Sequence, residues 1–124
     1  MENQMTWNLF IDDERNLEDV TWAPWQVREK YRNEEWVIAR TDFEVYTELA
    51  KRKSFPSFIS FDHDLGLNSE SGFKIAAELI DRDMLEESWV TIPEDFDFYV
   101  HSKNPIGKAN IEGLLNSYLK HKGK

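Results

Sequence analysis

Short apolar runs, each followed abruptly by polar residues, recur along the chain and constrain its fold more than any other feature. The clearest runs occupy residues 7–11, 36–39, 58–61 and 96–100. Runs of this length are typical of buried strands, and stretches with apolar residues at helical spacing lie between them. Strands that alternate with helices favour right-handed crossovers. The sequence therefore predicts an α/β fold of three layers, in which helices cover both faces of an open parallel sheet of about four to five strands.

Residues typical of helix N-termini follow three of these runs. They are Thr41 or Asp42 after the second run, Ser71 or Gly72 after the third, and Asn104 with Pro105 after the last. Three segments are less regular. Residues 16–35 predict a helix capped by Thr21 with Pro24 in its first turn, and we interpret this segment as a cap insertion that faces a substrate. Residues 89–92 predict an extra short strand, and residues 120–124 predict a flexible tail.

Length and cysteine content limit the class of protein. The chain has 124 residues, which corresponds to a single domain over residues 1–124. It has no cysteine, which excludes disulfides, thiolate nucleophiles and zinc–thiolate sites and fits a reducing compartment. Neither a secretory leader nor a run of about 18 apolar residues is present. We therefore expect a cytoplasmic protein that does not enter the membrane.

The charge balance limits the choice of partner. The chain carries 24 acidic and 15 basic residues, a formal net charge of −9. Such a chain repels the phosphates of duplex DNA unless bound cations compensate. Duplex DNA is therefore disfavoured as a partner. A small phosphorylated or cyclic-nucleotide ligand, an RNA end and a protein all stay open.

Polar clusters follow three of the predicted strands. They are Asp12-Asp13, Asp62-His63-Asp64 and His101-Ser102. In open parallel sheets, ligands bind beyond the carboxyl ends of the strands, where the strand order reverses. Adjacent carboxylates repel one another unless a hard cation neutralises them, so the sequence indicates Mg²⁺ or Mn²⁺ held by Asp12, Asp13, Asp62 and Asp64. From spacing alone, an alternative is about as well supported: Asp13 and Asp64 form turns while Asp12 pairs with Arg15 or a lysine.

Groups suited to an anion surround the last predicted helix. Its N-terminus directs the positive end of the helix dipole toward the same rim, which favours phosphate. The candidate phosphate-binding residues are Ser102, Lys103, Asn104, Gly107 and Lys108, together with Arg15 after the first strand. The alternative is an ordinary capped helix at a solvated edge, and for Lys108 taken alone that alternative is preferred.

Two histidines lie at the same predicted rim. Histidine exchanges protons near neutral pH, so His101 is the first candidate for a general acid or base. His63, between two aspartates, is a candidate for orienting water or contacting the ligand. Asp62 completes the set of candidate catalytic residues. A lone histidine in a loop is more often structural, and this reading of His63 stays open.

The strand-end motifs resemble those of response-regulator receiver domains, which have a flavodoxin-like fold. The resemblance implies that Asp12, Asp13 and Asp62 hold Mg²⁺, that Asp62 accepts a phosphoryl group, and that Ser102 contacts it. One departure concerns the C-terminal part. Only 22 residues follow Ser102, too few for a further helix, strand and helix, so we expect a truncated receiver-like fold.

A more specific resemblance covers most of the chain. The segments LFIDDER, ISFDHDLG and YVHSKNPIGKANIEGLLNSYL are similar to the cyclic-phosphate-processing receiver-like domains of bacteria and phages. This resemblance implies a role in handling cyclic-phosphate nucleotides or RNA ends. The resulting hypothesis is a metal-dependent phosphoesterase that acts on a cyclic phosphate of a nucleotide or nucleotide-derived molecule. Two alternatives stay open: a signalling module phosphorylated on Asp62, and a non-catalytic protein that sequesters a cyclic nucleotide or a partner.

Overall fold

A single parallel sheet forms the centre of the domain. The computed structural model describes residues 6–85 and 91–122. Within them, four strands pair in the order β2-β1-β3-β4, all parallel. The strands are β1 (Asn8–Ile11), β2 (Trp36–Ala39), β3 (Phe58–Phe61) and β4 (Asp97–Val100). The predicted open parallel α/β sheet is confirmed, with β4 at one edge.

Four α-helices connect and follow the strands. They are α1 (Trp25–Asn33), α2 (Asp42–Arg52), α3 (Gly72–Met84) and α4 (Pro105–His121). The side chains of Thr41, Ser71 and Asn104 accept hydrogen bonds from the first-turn amides of α2, α3 and α4, which confirms three predicted N-caps. No helix in the described part of the chain is both long and apolar enough to cross a bilayer.

The segment before α1 differs from its prediction. Thr21 does not cap a helix, because a 3-10 turn (Leu17–Asp19) comes first and α1 begins only at Trp25. Pro24 is the N-cap and not a first-turn residue, since its φ of −57° and ψ of 154° are extended. Of the predicted strand at 89–92, residues 89 and 90 lie outside the described residues, and residues 91 and 92 are not in a strand.

The two faces of the sheet bury different sets of residues, because successive side chains of a strand point to opposite faces. On one face, Phe10 packs with Val20, Ala23 and Tyr31, so α1 and the loop before it cover this side. On the other face lies the larger core, built from β1, β3, β4 and the three later helices; its members include Leu9, Ile11, Ile59, Val45, Leu49, Ile75, Leu79, Ile111 and Leu115. The predicted three-layer arrangement is confirmed.

A buried carboxylate ties the C-terminal ends of α3 and α4 together. Asp83 accepts hydrogen bonds from the backbone amide of Ile92 at 2.7 Å, from the Lys122 ammonium at 2.8 Å and from the Tyr118 hydroxyl. Burial alone would raise the pKa of Asp83, but the hydrogen bonds from Lys122, Tyr118 and Ile92 outweigh it and hold that pKa below its ordinary value. Residues 120–122 of the predicted flexible tail therefore belong to the fold, and residues 123 and 124 lie outside the described residues.

We expect Asp83→Asn to lower the free energy of unfolding by about 1–3 kcal/mol at pH 7, because it removes the charge that three donors surround. The depressed pKa means that this stabilisation is present above the ordinary carboxyl pKa and is lost as the pH falls through the folded-state value. The difference from wild type should therefore shrink in urea unfolding curves recorded near pH 3. The matched control is Asp81→Asn, which makes the same change at an exposed residue two positions earlier in α3. Equal losses from the two variants would contradict the role of Asp83.

Candidate functional site

The candidate site begins where three neighbouring strands end. The register of β1, β3 and β4 places three side chains in a row on the α1 face: Phe10, Ser60 and Tyr99. Because side chains alternate, the residues two positions later project from the same face; they are Asp12, Asp62 and His101. Backbone hydrogen bonds continue the sheet past the strand ends, from the Asp62 amide to the Ile11 carbonyl and from the His101 amide to the Phe61 carbonyl, both at 2.9 Å.

These three residues form a buried cluster of potential metal ligands. Asp12 and His101 are fully buried, and Asp62 is 5% exposed. One ligand atom from each residue lies within 4.8 Å of the others. The strand order reverses between β1 and β3, so the cluster occupies the switch point at which open α/β sheets bind ligands.

Four hydrogen bonds fix the Asp12 carboxylate. Its Oδ1 accepts from the backbone amides of Glu14 and Arg15 at 2.8 and 2.7 Å. Its Oδ2 is hydrogen-bonded to His101 Nε2 at 2.9 Å and accepts from Arg15 Nη1 at 3.2 Å. Burial alone would raise the pKa of Asp12, but the hydrogen bonds from His101 and from the two backbone amides outweigh it, so the pKa lies well below its ordinary value. Asp12 is therefore an ionised group in a fixed orientation.

Asp62 has fewer partners. Its Oδ1 accepts from the His63 amide at 2.8 Å, and its Oδ2 lies 3.7 Å from Arg15 Nη1, beyond hydrogen-bonding distance. Burial and the neighbouring negative charge of Asp12 raise the pKa of Asp62 above its ordinary value. Arg15 thus compensates the two carboxylates only in part. A further positive charge at this position would be electrostatically favourable.

A chain of buried hydrogen bonds supports the cluster from below. His101 Nδ1 is hydrogen-bonded to Ser60 Oγ at 2.7 Å, and Ser60 Oγ to the Tyr31 hydroxyl at 2.6 Å. The His101 ring also stacks on Phe10, with centroids 4.6 Å apart and planes 3° apart. Burial raises the pKa of Tyr31, so its hydroxyl keeps its proton. Both ring nitrogens of His101 are therefore engaged, and α1 is connected to Asp12 through polar contacts.

An open cleft of about 280 Å³ lies above the cluster. It brings together all four predicted metal-binding carboxylates and four of the six predicted phosphate-binding residues; its lining is Asp12, Asp13, Glu14, Arg15, Asp62, Asp64, Gly66, Ser102, Lys103 and Asn104. Carboxylates and predicted phosphate-binding residues thus share one cavity. Such an arrangement suits a ligand whose phosphate is bridged to carboxylates by a cation.

A match to a known protein family identifies the family of this chain. The family described as "Cyclic-phosphate processing Receiver domain" has a model that matches residues 7–117. The chain belongs to this family. No curated protein and no solved structure matches it. The matched region of this cyclic-phosphate processing receiver domain runs from the residue before β1 into α4, and it includes the ends of all three strands that form the site.

Several predicted residues of this receiver domain lie outside the cleft. Lys108 donates from Nζ to the Val100 carbonyl at 2.7 Å and pairs with Glu112 at 3.1 Å, so its charge is used at the helix surface. Position 107 requires glycine because it packs against the His63 ring: a Cβ there would lie 2.4 Å from Cγ of His63. Neither residue lines the cleft, and their part in phosphate binding stays a prediction.

The two histidines predicted to be catalytic also lie outside the cleft lining. His63 Nδ1 is hydrogen-bonded to Asp64 Oδ1 at 2.9 Å, and the His63 side chain is 20% exposed. His101 is fully buried and does not line the cleft. Its proposed part in proton transfer stays a prediction, whereas its contact with Asp12 makes it a positioning residue in this geometry.

The N-terminus of α4 is less open than the sequence suggests. The Asn104 Oδ1 atom accepts from the amides of Ile106 and Gly107 at 3.1 and 3.0 Å, and the Asn104 amide itself donates to Ser102 Oγ at 3.1 Å. These amides are therefore satisfied within the chain. Of the predicted anion-binding groups, the side chains of Ser102, Lys103 and Arg15 line the cleft, and the helix dipole adds a favourable potential.

Sequence reasoning missed several residues of the receiver domain's site. Glu14 lines the cleft, and Trp22 donates from Nε1 to the His101 carbonyl at 3.0 Å. Gly72 is required beside Asp62, since a Cβ at Gly72 would lie 1.9 Å from the Asp62 carbonyl oxygen. Ser60 alone had a usable signal, because it is a polar residue in the middle of an otherwise apolar strand.

We expect Ser60→Ala to lower the free energy of unfolding by about 1–3 kcal/mol, because it leaves both the Tyr31 hydroxyl and His101 Nδ1 without their buried partner. Tyr31→Phe should lower the free energy of unfolding by less, since it removes only the last hydroxyl of the hydrogen-bond chain. In the Ser60→Ala background, Tyr31→Phe should cost less still, because the two residues are in contact. Urea unfolding of the four proteins measures this coupling. The control is Tyr99→Phe, which removes a hydroxyl that is not part of this hydrogen-bond chain. Strict additivity of Ser60→Ala and Tyr31→Phe would argue against coupling through these hydrogen bonds.

Proposed function

We propose that this receiver domain is a metal-dependent phosphoesterase that hydrolyses a cyclic phosphodiester of a nucleotide or nucleotide-derived molecule. One observation carries the proposal: the cleft places buried carboxylates directly beside Ser102, Lys103 and Arg15. Membership of a cyclic-phosphate processing family supports the same class of ligand. Opening a cyclic phosphodiester requires charge compensation at the phosphoryl oxygens and a water molecule beside the phosphorus, and this cleft offers groups for both needs.

The carboxylates fit Mg²⁺ or Mn²⁺. Asp12 and Asp62 are the buried carboxylates of this donor set, and the half-buried Asp13 and the exposed Asp64 add carboxylates at the cleft wall. Both ring nitrogens of His101 are engaged by Asp12 and Ser60, so His101 supports this set and is not counted in it. Oxygen-rich sets of this kind suit hard divalent cations. Burial, and after it the negative charge of Asp12, raise the pKa of Asp62, and a cation bound beside it would offset both. When bound, the ion polarises the phosphoryl group and makes water a stronger nucleophile.

The other side of the cleft holds the phosphate. Ser102 Oγ accepts a hydrogen bond from the Asn104 amide at 3.1 Å, and its own hydroxyl proton is suited to donate to a phosphoryl oxygen. Lys103 and Arg15 supply positive charge at the same wall. These contacts strengthen as negative charge develops on the phosphoryl oxygens, so they favour the transition state over the ground state.

The reaction adds one water molecule. The water oxygen forms a bond to phosphorus and releases one proton to solvent, while one ring P–O ester bond breaks and the departing ester oxygen takes up a proton from solvent. The open cleft gives solvent access to that oxygen. His101 contributes by holding Asp12 in one orientation, and Asp12 in turn holds Arg15 beside the phosphate.

Purified protein should convert a cyclic phosphate to a product heavier by one water when Mg²⁺ or Mn²⁺ is present. The panel comprises 2′,3′-cyclic nucleotides, 3′,5′-cyclic nucleotides, cyclic dinucleotides and an ADP-ribose cyclic phosphate, with mass spectrometry as the readout. Asp62→Asn should reduce turnover by about 100-fold, because it removes a charge from the donor set. Chelation should abolish turnover. Asp97→Asn is the control, since it makes the same charge change on an exposed residue at the opposite end of the sheet.

Two other results would overturn this assignment. A cyclic nucleotide that is retained by the protein and recovered intact would indicate a sequestering protein. Uptake of a phosphoryl group from a small phosphodonor, abolished in Asp62→Asn, together with no hydrolysis of the panel, would indicate a receiver-like signalling module.

A further inference from the structure

Trp22 contacts both cations that line the cleft. The Lys103 ammonium lies 4.3 Å from the centroid of the indole ring, and the Arg15 guanidinium carbon lies 5.1 Å from it. The indole Nε1 donates to the His101 carbonyl at 3.0 Å, 79 residues further along the chain. The ring is therefore tied to the end of β4, next to the buried cluster.

The loop that carries Trp22 is anchored on both sides. Val20 is fully buried and Ala23 is 3% exposed, and both pack beside Phe10 in the core under α1. Trp22 itself is 36% exposed. Its position is thus set by buried neighbours, while its ring is directed to the surface where the cations lie.

The position of Lys103 differs from what charge alone predicts. Within the described residues, the cleft lining contains five acidic residues and two basic ones. Coulomb attraction favours a contact between the Lys103 ammonium and one of these carboxylates. The structure instead places the ammonium over Trp22. A cation over a tryptophan ring is at least as favourable as an exposed ion pair, so the ring is able to hold it.

We propose that Trp22 is a positioning residue that keeps Lys103 away from the carboxylates. The cleft then retains a negative part for a divalent cation and a positive part for a phosphate. Without the indole, Lys103 pairs with the carboxylates and competes with the metal ion for them. The inference rests on the proposed function where it assigns a divalent cation to the carboxylates and phosphate to Lys103 and Arg15, whereas the contact between Trp22 and Lys103 is independent of it.

A double-mutant cycle tests this role with Mn²⁺ as the probe and calorimetry as the readout. Trp22→Leu should weaken Mn²⁺ binding about threefold to tenfold, because Lys103 is released toward the carboxylates. Lys103→Met should bind Mn²⁺ no more weakly than wild type. In the Lys103→Met background, Trp22→Leu should have no further effect. An equal loss in both backgrounds would overturn the proposal, since it would mean that Trp22 acts through Arg15 or through the fold and not through Lys103.

A second measurement is independent of metal binding and of turnover. NMR of the Lys103 ε-methylene group should show a ring-current shift that disappears in Trp22→Leu and is partly kept in Trp22→Phe, which preserves an aromatic face. Circular dichroism establishes that each variant is folded. If wild type shows the shift but binds no Mn²⁺, the proposed function fails while the position of Lys103 stands. If wild type shows no shift, the positioning role itself is wrong.

Discussion

The hydrogen bond between His101 and Asp12 is the contact on which the rest of the site depends. It joins residues 89 positions apart and is completely buried, so neither partner has water as a substitute. It forms only because β4 lies beside β3 in parallel register, which brings the end of β4 close to the ends of β1 and β3. Ser60 and Tyr31 then engage the far side of the imidazole. A buried ionised carboxylate is costly unless it is paired, and Asp12 is paired through elements from both halves of the chain.

Much of this arrangement was predictable from local patterns. Apolar runs followed by polar residues identify β1, β3 and β4 and their ends, and alternation then places Asp12, Asp62 and His101 on one face. The caps Thr41, Ser71 and Asn104 were equally accessible, because side chains of these types satisfy first-turn amides wherever a helix begins. Such features depend on residues close in sequence, and the pattern of a single segment is enough to predict them.

Other features depend on partners distant in sequence. The direction of Lys108 is decided by the Val100 carbonyl and Glu112, and the need for glycine at position 107 by the ring of His63. Trp22 follows a 3-10 turn and precedes an extended proline, an irregular path without a periodic pattern to interpret. Its contacts with Arg15 and Lys103 arise only when three loops meet at one end of the sheet. The spacing of residues along the sequence does not reveal contacts of this kind.

The excess of acidic over basic groups in the cleft lining has a consequence for the order in which the proposed cation and phosphate would bind. A negatively charged wall concentrates divalent cations near it and repels free anions. One divalent cation would reduce the excess of acidic over basic groups in this wall and would offer an anionic ligand a local positive charge. Under the proposed function, occupancy would be sequential, and at low cation concentration the cleft would disfavour even a ligand of matching shape. The local supply of divalent cations would then act as a gate on ligand entry, without any movement of the chain.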